Sequence, residues 1–170
     1  MIIEKSFKYF NNRDISFSIN ITEIDLKENY LLDIFKEFFK IYNIKASNVI
    51  LEILEDISVF SSPETIKQIN KLKDIGILIA LDDFGAEKAN FSRILDLNVD
   101  FIKIDELFIK NIATNKKSLI ITKAIVDMAK EFNIKTIAEY VHNRETFEIV
   151  KDLGVDFSQG YYFSKPKPNI

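Results

Sequence analysis

The sequence predicts an α/β fold built on a parallel sheet, and three observations carry that prediction. Short β-rich runs alternate with amphipathic helical stretches along the whole chain. The run ILIALD at 77–82 is almost wholly apolar, as a strand covered on both faces must be. Strands separated by helices need a crossover that carries the chain back each time, which makes neighbouring strands parallel. A doubly wound sheet and a (β/α)8 barrel both satisfy this pattern. Six strands in 170 residues fall short of the roughly 250 residues that a complete barrel uses.

Each element has its own signal. Residues 1–11 place Ile2, Ile3, Phe7 and Phe10 at mixed three- and four-residue spacing, a helical period. In DISFSINIT (14–22), Ile15, Phe17, Ile19 and Ile21 alternate with polar residues, the period of a strand. NYLLDIFKEFFKIYN (29–43) reads as a helix with a broad apolar face, and SNVILEIL (47–54) as a strand. SPETIKQINKLKDIG (62–76) is a helix, with Pro63 in its first turn and Gly76 past its end. After the strand 77–82 come a short helix at 88–98 and the strand VDFIKID at 99–105. The longest helix is expected over 115–133, then the strand IKTIAE at 134–139. A helix over 143–154, closed by Gly154, leads to a last strand over 155–163.

Composition narrows the class. An apolar fraction of 47% over this length supports one core, so a single domain over 1–170 is expected. A net charge of −3 does not suit a nucleic-acid polymer as partner. The chain has no Cys, which excludes disulfides, thiolate metal sites and a Cys nucleophile. Neither a signal peptide nor an apolar stretch of membrane-spanning length stands out, so a cytoplasmic location is expected. The 15 Phe and 6 Tyr fall mostly on apolar faces and read as core.

In either parallel architecture, chemistry collects at the carboxyl ends of the strands. Those ends carry Asn20, then Glu52 with Glu55 just beyond, then the adjacent pair Asp82–Asp83. Lys103 and Asp105 follow, then Glu139, then Ser158 and Gln159. One polar residue where a strand meets a loop is ordinary, and the lone His142 reads as a surface loop residue. Glu52 within LEIL and Lys103 within FIKID are less ordinary, because a buried ion without a partner is costly. Apart from Lys103 the set is all oxygen, which suits Mg²⁺ or Mn²⁺ rather than Zn²⁺. A pair of cations would give the adjacent aspartates a reason, because metal charge cancels their repulsion.

The stretches FSINIT, LEILEDISVF, IALDDFGAEKANFSRILDLNVDFIKID, TIAEYV and LGVDFSQGYYFSKP, in this order, resemble the EAL domains. These are bacterial cyclic di-GMP phosphodiesterases with a modified (β/α)8 TIM-type barrel. The resemblance runs from about residue 2 to the C-terminus. It implies that Asn20, Glu52, Asp82, Asp83 and Glu139 bind two metal ions, and that Asp83 and Gln159 also line the substrate site. It further implies that Lys103 holds or activates the attacking water beside Asp105, and that Glu55 steadies the loop after the DDFG stretch. Hydrolysis of cyclic di-GMP to linear pGpG follows as the expected reaction.

The departures from the family pattern shape the rest. No Glu-Ala-Leu triplet occurs in the chain, so the resemblance implies a domain truncated at its N-terminus, with about six βα units and a barrel left incomplete. Two flanking edges, DISFSINIT and VDFSQGYYF, would then be open to a second copy or another protein partner. The loop after Asp83 reads AEKAN where the family has T-G-Y-S-S. Tyr140 stands where the family has Gly, and His142 where it has a second Glu. On this basis the chain alone is expected to hydrolyse cyclic di-GMP weakly or not at all. The alternative is a degenerate module that binds cyclic di-GMP or a partner protein without catalysis.

Overall fold

The computed structural model describes residues 2–28, 30–54, 62–85 and 98–167. They group into two compact units that meet within one strand, β3 (Leu78–Phe84), of which residues 78–80 belong to the first and 81–84 to the second.

The first unit contains α1 (Ile2–Phe10), β1 (Phe17–Ile21), α2 (Glu23–Lys27), α3 (Leu31–Ile41), β2 (Val49–Leu54) and α4 (Pro63–Asp74). Strands β1 and β2 are parallel, with Phe17 opposite Val49 and Asn20 opposite Glu52. Along β1, Phe17, Ile19 and Ile21 are buried and the residues between them exposed. The expected alternation was one residue pair too long. Ile15 is 53% exposed and lies outside the strand. Phe17 is already paired with the first residue of β2, so the chain before it has no partner ladder.

Phe7 anchors this unit's core. It is fully buried, with the rings of Phe17, Phe35, Phe38, Phe39 and Tyr42 centred 5.3–5.9 Å away. Aromatic pairs at such spacing add to the burial of their area. Helix α2 was not foreseen. Thr22 caps it by accepting from the Asp25 amide, while the Asp25 carboxylate accepts the Thr22 amide at 2.9 Å. The Tyr30 hydroxyl donates to the same carboxylate.

The second unit contains the end of β3, β4 (Phe101–Ile104), α5 (Glu106–Ile109), α6 (Lys116–Glu131), β5 (Lys135–Ala138), α7 (Arg144–Asp152) and β6 (Phe157–Ser158). Strands β4, β5 and β6 run parallel. In each unit the strands neighbour one another in chain order, β1-β2-β3 and β3-β4-β5-β6. A doubly wound sheet needs a reversal of strand order, and this order has none. Buried Leu81, Phe84, Ile102, Ile104, Val126 and Ala138 form the core beneath these strands.

Two expectations for this unit need correction. The third strand runs on past Asp82 through Asp83 and Phe84, so Asp83 lies within the strand and not beyond it. The last strand is two residues long, where nine residues were expected to be extended. Ala138 is the last β5 residue paired with it, and Tyr161–Phe163 form a turn whose Tyr162 amide donates to the Val141 carbonyl. Gly160 makes that turn possible, since a Cβ there would lie 2.3 Å from the Val141 oxygen. The helix expected over 88–98 falls almost entirely outside the described residues. Among the described residues no helix is long and apolar enough to cross a membrane.

Candidate metal centre

Side chains normally alternate between the two faces of a strand. Asp83 breaks this rule with φ of 54°, a left-handed backbone that Asp tolerates better than most residues. The local kink lets both neighbours reach one place. Asp82, Asp83 and Glu139 each offer a carboxylate oxygen, and these oxygens lie within 4.8 Å of one another. Gly85, next after Phe84, turns the chain with φ of 91°, and a Cβ there would meet the Phe108 ring at 2.8 Å.

Lys103 braces the carboxylates from β4. It is buried, and its Nζ donates to Asp82 Oδ1 at 2.6 Å and lies 3.0 Å from Glu139 Oε1. Without them the ammonium would be an uncompensated buried charge. Gln159, directly after β6, donates from Nε2 to the same Glu139 oxygen at 2.6 Å. Asp105 caps α5 by accepting the Leu107 amide at 2.6 Å, and its carboxyl also hydrogen-bonds that of Asp83.

One ammonium does not neutralise this group. Burial pushes the Asp83 carboxyl above its ordinary value; the charges of Asp82 and Asp105 and the Asp105 hydrogen bond push it further, against a smaller pull from Lys103. Burial likewise raises Glu139, whose shift the charge and hydrogen bond of Lys103 reduce and the two aspartates restore. Clustered oxygens with surplus negative charge are the donor set of a hard divalent cation.

The structure thus brings Asp82, Asp83, Lys103, Asp105, Glu139 and Gln159 together in the second unit. Asn20 and Glu52 are lateral neighbours in the first unit, at the carboxyl ends of β1 and β2. Glu55 lies outside the described residues. His142 is exposed, with Nδ1 3.2 Å from the Tyr140 carbonyl.

Two cavities adjoin the cluster. The larger, about 780 Å³, is lined by Asp83, Asp105, Glu106, Lys110, Glu139 and Tyr140, among others. The smaller, about 400 Å³, is lined by Tyr140, His142, Gln159, Tyr161, Ser164 and Lys165, among others. Sequence reasoning did not place Glu106 or Lys110 near the site. Both are carried by or follow α5, a four-residue helix too short to show a period, and its one signal was Asp105 as a cap.

The EAL domain profile matches residues 2–166. The chain is 35% identical over 152 residues to the probable cyclic di-GMP phosphodiesterase PdeA of Escherichia coli, covering 89% of this chain and 21% of that protein. It is 38% identical over 165 residues to the cyclic di-GMP phosphodiesterase PdeA of Borreliella burgdorferi, covering 96% of this chain and 24% of that protein. The chain therefore spans about a quarter or less of the length of these curated relatives. Its fold is similar to that of the EAL enzyme Bd1971, solved with cAMP and cyclic di-GMP bound. The TM-score is 0.85 at 28% identity, over 90% of this chain and 40% of that one. An incomplete (β/α) barrel, expected from the sequence, accounts for both the likeness and the sequential strand order.

Proposed function

Because the chain belongs to the EAL domain family, we propose that it is a cyclic di-GMP phosphodiesterase domain that cleaves one phosphodiester to leave linear pGpG. The observation that carries this reading is the convergence of Asp82, Asp83 and Glu139 around buried Lys103. In this reading Asp82, Asp83 and Glu139 would hold Mg²⁺ or Mn²⁺. When bound, such cations supply a nucleophilic water at neutral pH and offset charge on the phosphoryl oxygens.

The chain's own groups supply position. Lys103 fixes the orientation of the Asp82 and Glu139 carboxylates, and its positive charge lies beside the place where water would attack. Gln159 donates to the same Glu139 oxygen, so that carboxylate has little freedom to turn. Asp105, tied to the α5 backbone, keeps Asp83 facing the cluster. The water oxygen bonds to phosphorus as the bond to the ribose 3′-oxygen breaks, and the water's proton ends on that 3′-oxygen. No covalent enzyme intermediate is required.

Calorimetric titration of cyclic di-GMP in Ca²⁺, paired with product analysis in Mg²⁺ and Mn²⁺, tests the reading. Binding is expected to depend on a divalent cation and to be lost in Asp82→Asn, with pGpG formed slowly in the parent chain. Binding without any pGpG would favour the non-hydrolysing alternative. Absence of binding with every cation would sink both.

A further inference from the structure

Tyr140 walls both cavities, yet neither the carboxylate cluster nor the buried core accounts for it. It follows Glu139 directly and holds φ of 55°, a left-handed backbone that a bulky aromatic residue adopts only against strain. A strained conformation beside a functional cluster is reason to ask what its side chain does. Tyr140 is 40% exposed. Lys110, which lines the larger cavity, has its Nζ 5.3 Å from the ring centroid. His142, which lines the smaller one, has its ring 5.4 Å away, inclined at 53°.

The smaller cavity differs chemically from its neighbour. It presents the rings of Tyr140, His142 and Tyr161, and Lys165 Nζ lies 5.8 Å from the Tyr161 centroid. Its volume of about 400 Å³ falls within the range of roughly 300–1,000 Å³ usual for small-molecule sites. Aromatic walls with a cation at the rim suit a flat, electron-rich heterocycle, and nucleobases stack on such rings. The larger cavity, lined by Asp83 and Glu139, suits a cation-bound phosphodiester. A ligand filling both therefore carries a base joined to a phosphate, with Tyr140 at the junction.

We propose that Tyr140 is a specificity-determining residue: its ring stacks a purine base in the smaller cavity while the attached phosphodiester lies at the Asp82–Asp83–Glu139 cluster. This rests on the cyclic dinucleotide reading above and adds to it which side chain selects the base. A purine offers a larger π-face than a pyrimidine, so the ring favours purine dinucleotides by stacking strength.

Titration of cyclic di-GMP and cyclic di-UMP in Ca²⁺, against the parent chain and its Tyr140→Phe, Tyr140→Leu and Tyr140→Gly variants, tests this. The parent and Tyr140→Phe are expected to prefer cyclic di-GMP with affinities within about twofold of each other. Tyr140→Gly and Tyr140→Leu are expected to lose about tenfold or more in cyclic di-GMP affinity. Their affinity for cyclic di-UMP should change far less, so the preference collapses. Gly takes the left-handed backbone freely, so Tyr140→Gly should melt no lower than the parent. Should it melt lower, Tyr140→Leu, which keeps an apolar bulk without a ring, decides the matter. Undiminished purine preference in the ring-less variants overturns the proposal and leaves the phosphodiesterase reading standing. A parent that binds neither dinucleotide overturns both.

Discussion

Lys103 and Lys135 lie on adjacent parallel strands, and each holds an aspartate at nearly the same distance, 2.6 Å to Asp82 and 2.7 Å to Asp156. The side chain of Lys103 is 4% exposed and that of Lys135 is 60% exposed. Lys135 opens β5, while Lys103 sits near the carboxyl end of β4, so the two pairs mark opposite ends of the sheet. At the amino end one cation meets one carboxylate, which also takes the Thr136 amide at 2.9 Å and the Thr136 hydroxyl at 3.1 Å. At the carboxyl end one cation meets several carboxylates, two of them with raised proton affinity. Similar pair geometry thus makes a strut in one place and a charged reservoir in the other. What separates them is burial and how many carboxylates each lysine must neutralise.

The sharpest way to break this contrast is Lys103→Met. The variant leaves Asp82 and Glu139 close together without their shared counter-charge, and such a loss costs about 3–5 kcal/mol. Urea unfolding at pH 7 with a chelator present should show it. A loss below about 1 kcal/mol would mean that Lys103 behaves as a surface lysine, and the contrast would vanish. The second test loads the reservoir. Mn²⁺ at about a hundred times its dissociation constant should stabilise the parent by about 2.7 kcal/mol, seen as a higher Tm. Asp82→Asn should lose most of that gain. A cation-independent Tm in the parent would remove the case for a metal centre.

At the amino end, Asp156→Asn should cost about 1.5–3 kcal/mol, the range for hydrogen bonds to a charged group. Burial raises the Asp156 carboxyl, but the bonds from Lys135 and Thr136 outweigh it, and the net shift is downward. A carboxyl lowered by folding stabilises fully above its unfolded value of about 3.9, and that contribution fades as pH falls through the lower folded value. The gap between Asp156→Asn and parent should therefore be widest near neutrality and close below about pH 4. A gap that widens on acidification would have the wrong sign.

The two ends were not equally legible in the sequence. Period and caps located most of the helices and strands, because apolar faces repeat over enough residues to be counted. The acids and Lys103 at strand ends stood out since charged residues interrupt apolar runs. What stayed hidden depends on backbone choices that leave no periodic trace. Asp83 adopts a left-handed φ without being Gly, so the kink that brings the Asp82–Asp83 pair together left no periodic signal, although their shared site was expected. Helices α2 and α5 hold too few residues for a period, and only Thr22 and Asp105 as caps betrayed them. The Lys135–Asp156 strut was equally unreadable, because its partners lie 21 residues apart on separate elements.

The smallest effect sharpens the contrast most finely. Lys135→Ala removes the exposed half of the amino-end pair but leaves Asp156 holding the Thr136 amide and hydroxyl. The remaining carboxylate keeps partners and faces water, so no buried charge is stranded. An exposed ion pair of this kind contributes about 0–1 kcal/mol, and salt screens it. Unfolding in low salt and in about 1 M salt should therefore bring variant and parent together as ionic strength rises. Lys103→Met should keep most of its deficit under the same change, since salt reaches a buried pair poorly. If both deficits fell in parallel, burial would not be what distinguishes the two ends of the sheet. The difference in charge count at the carboxyl end would then have to carry the distinction alone.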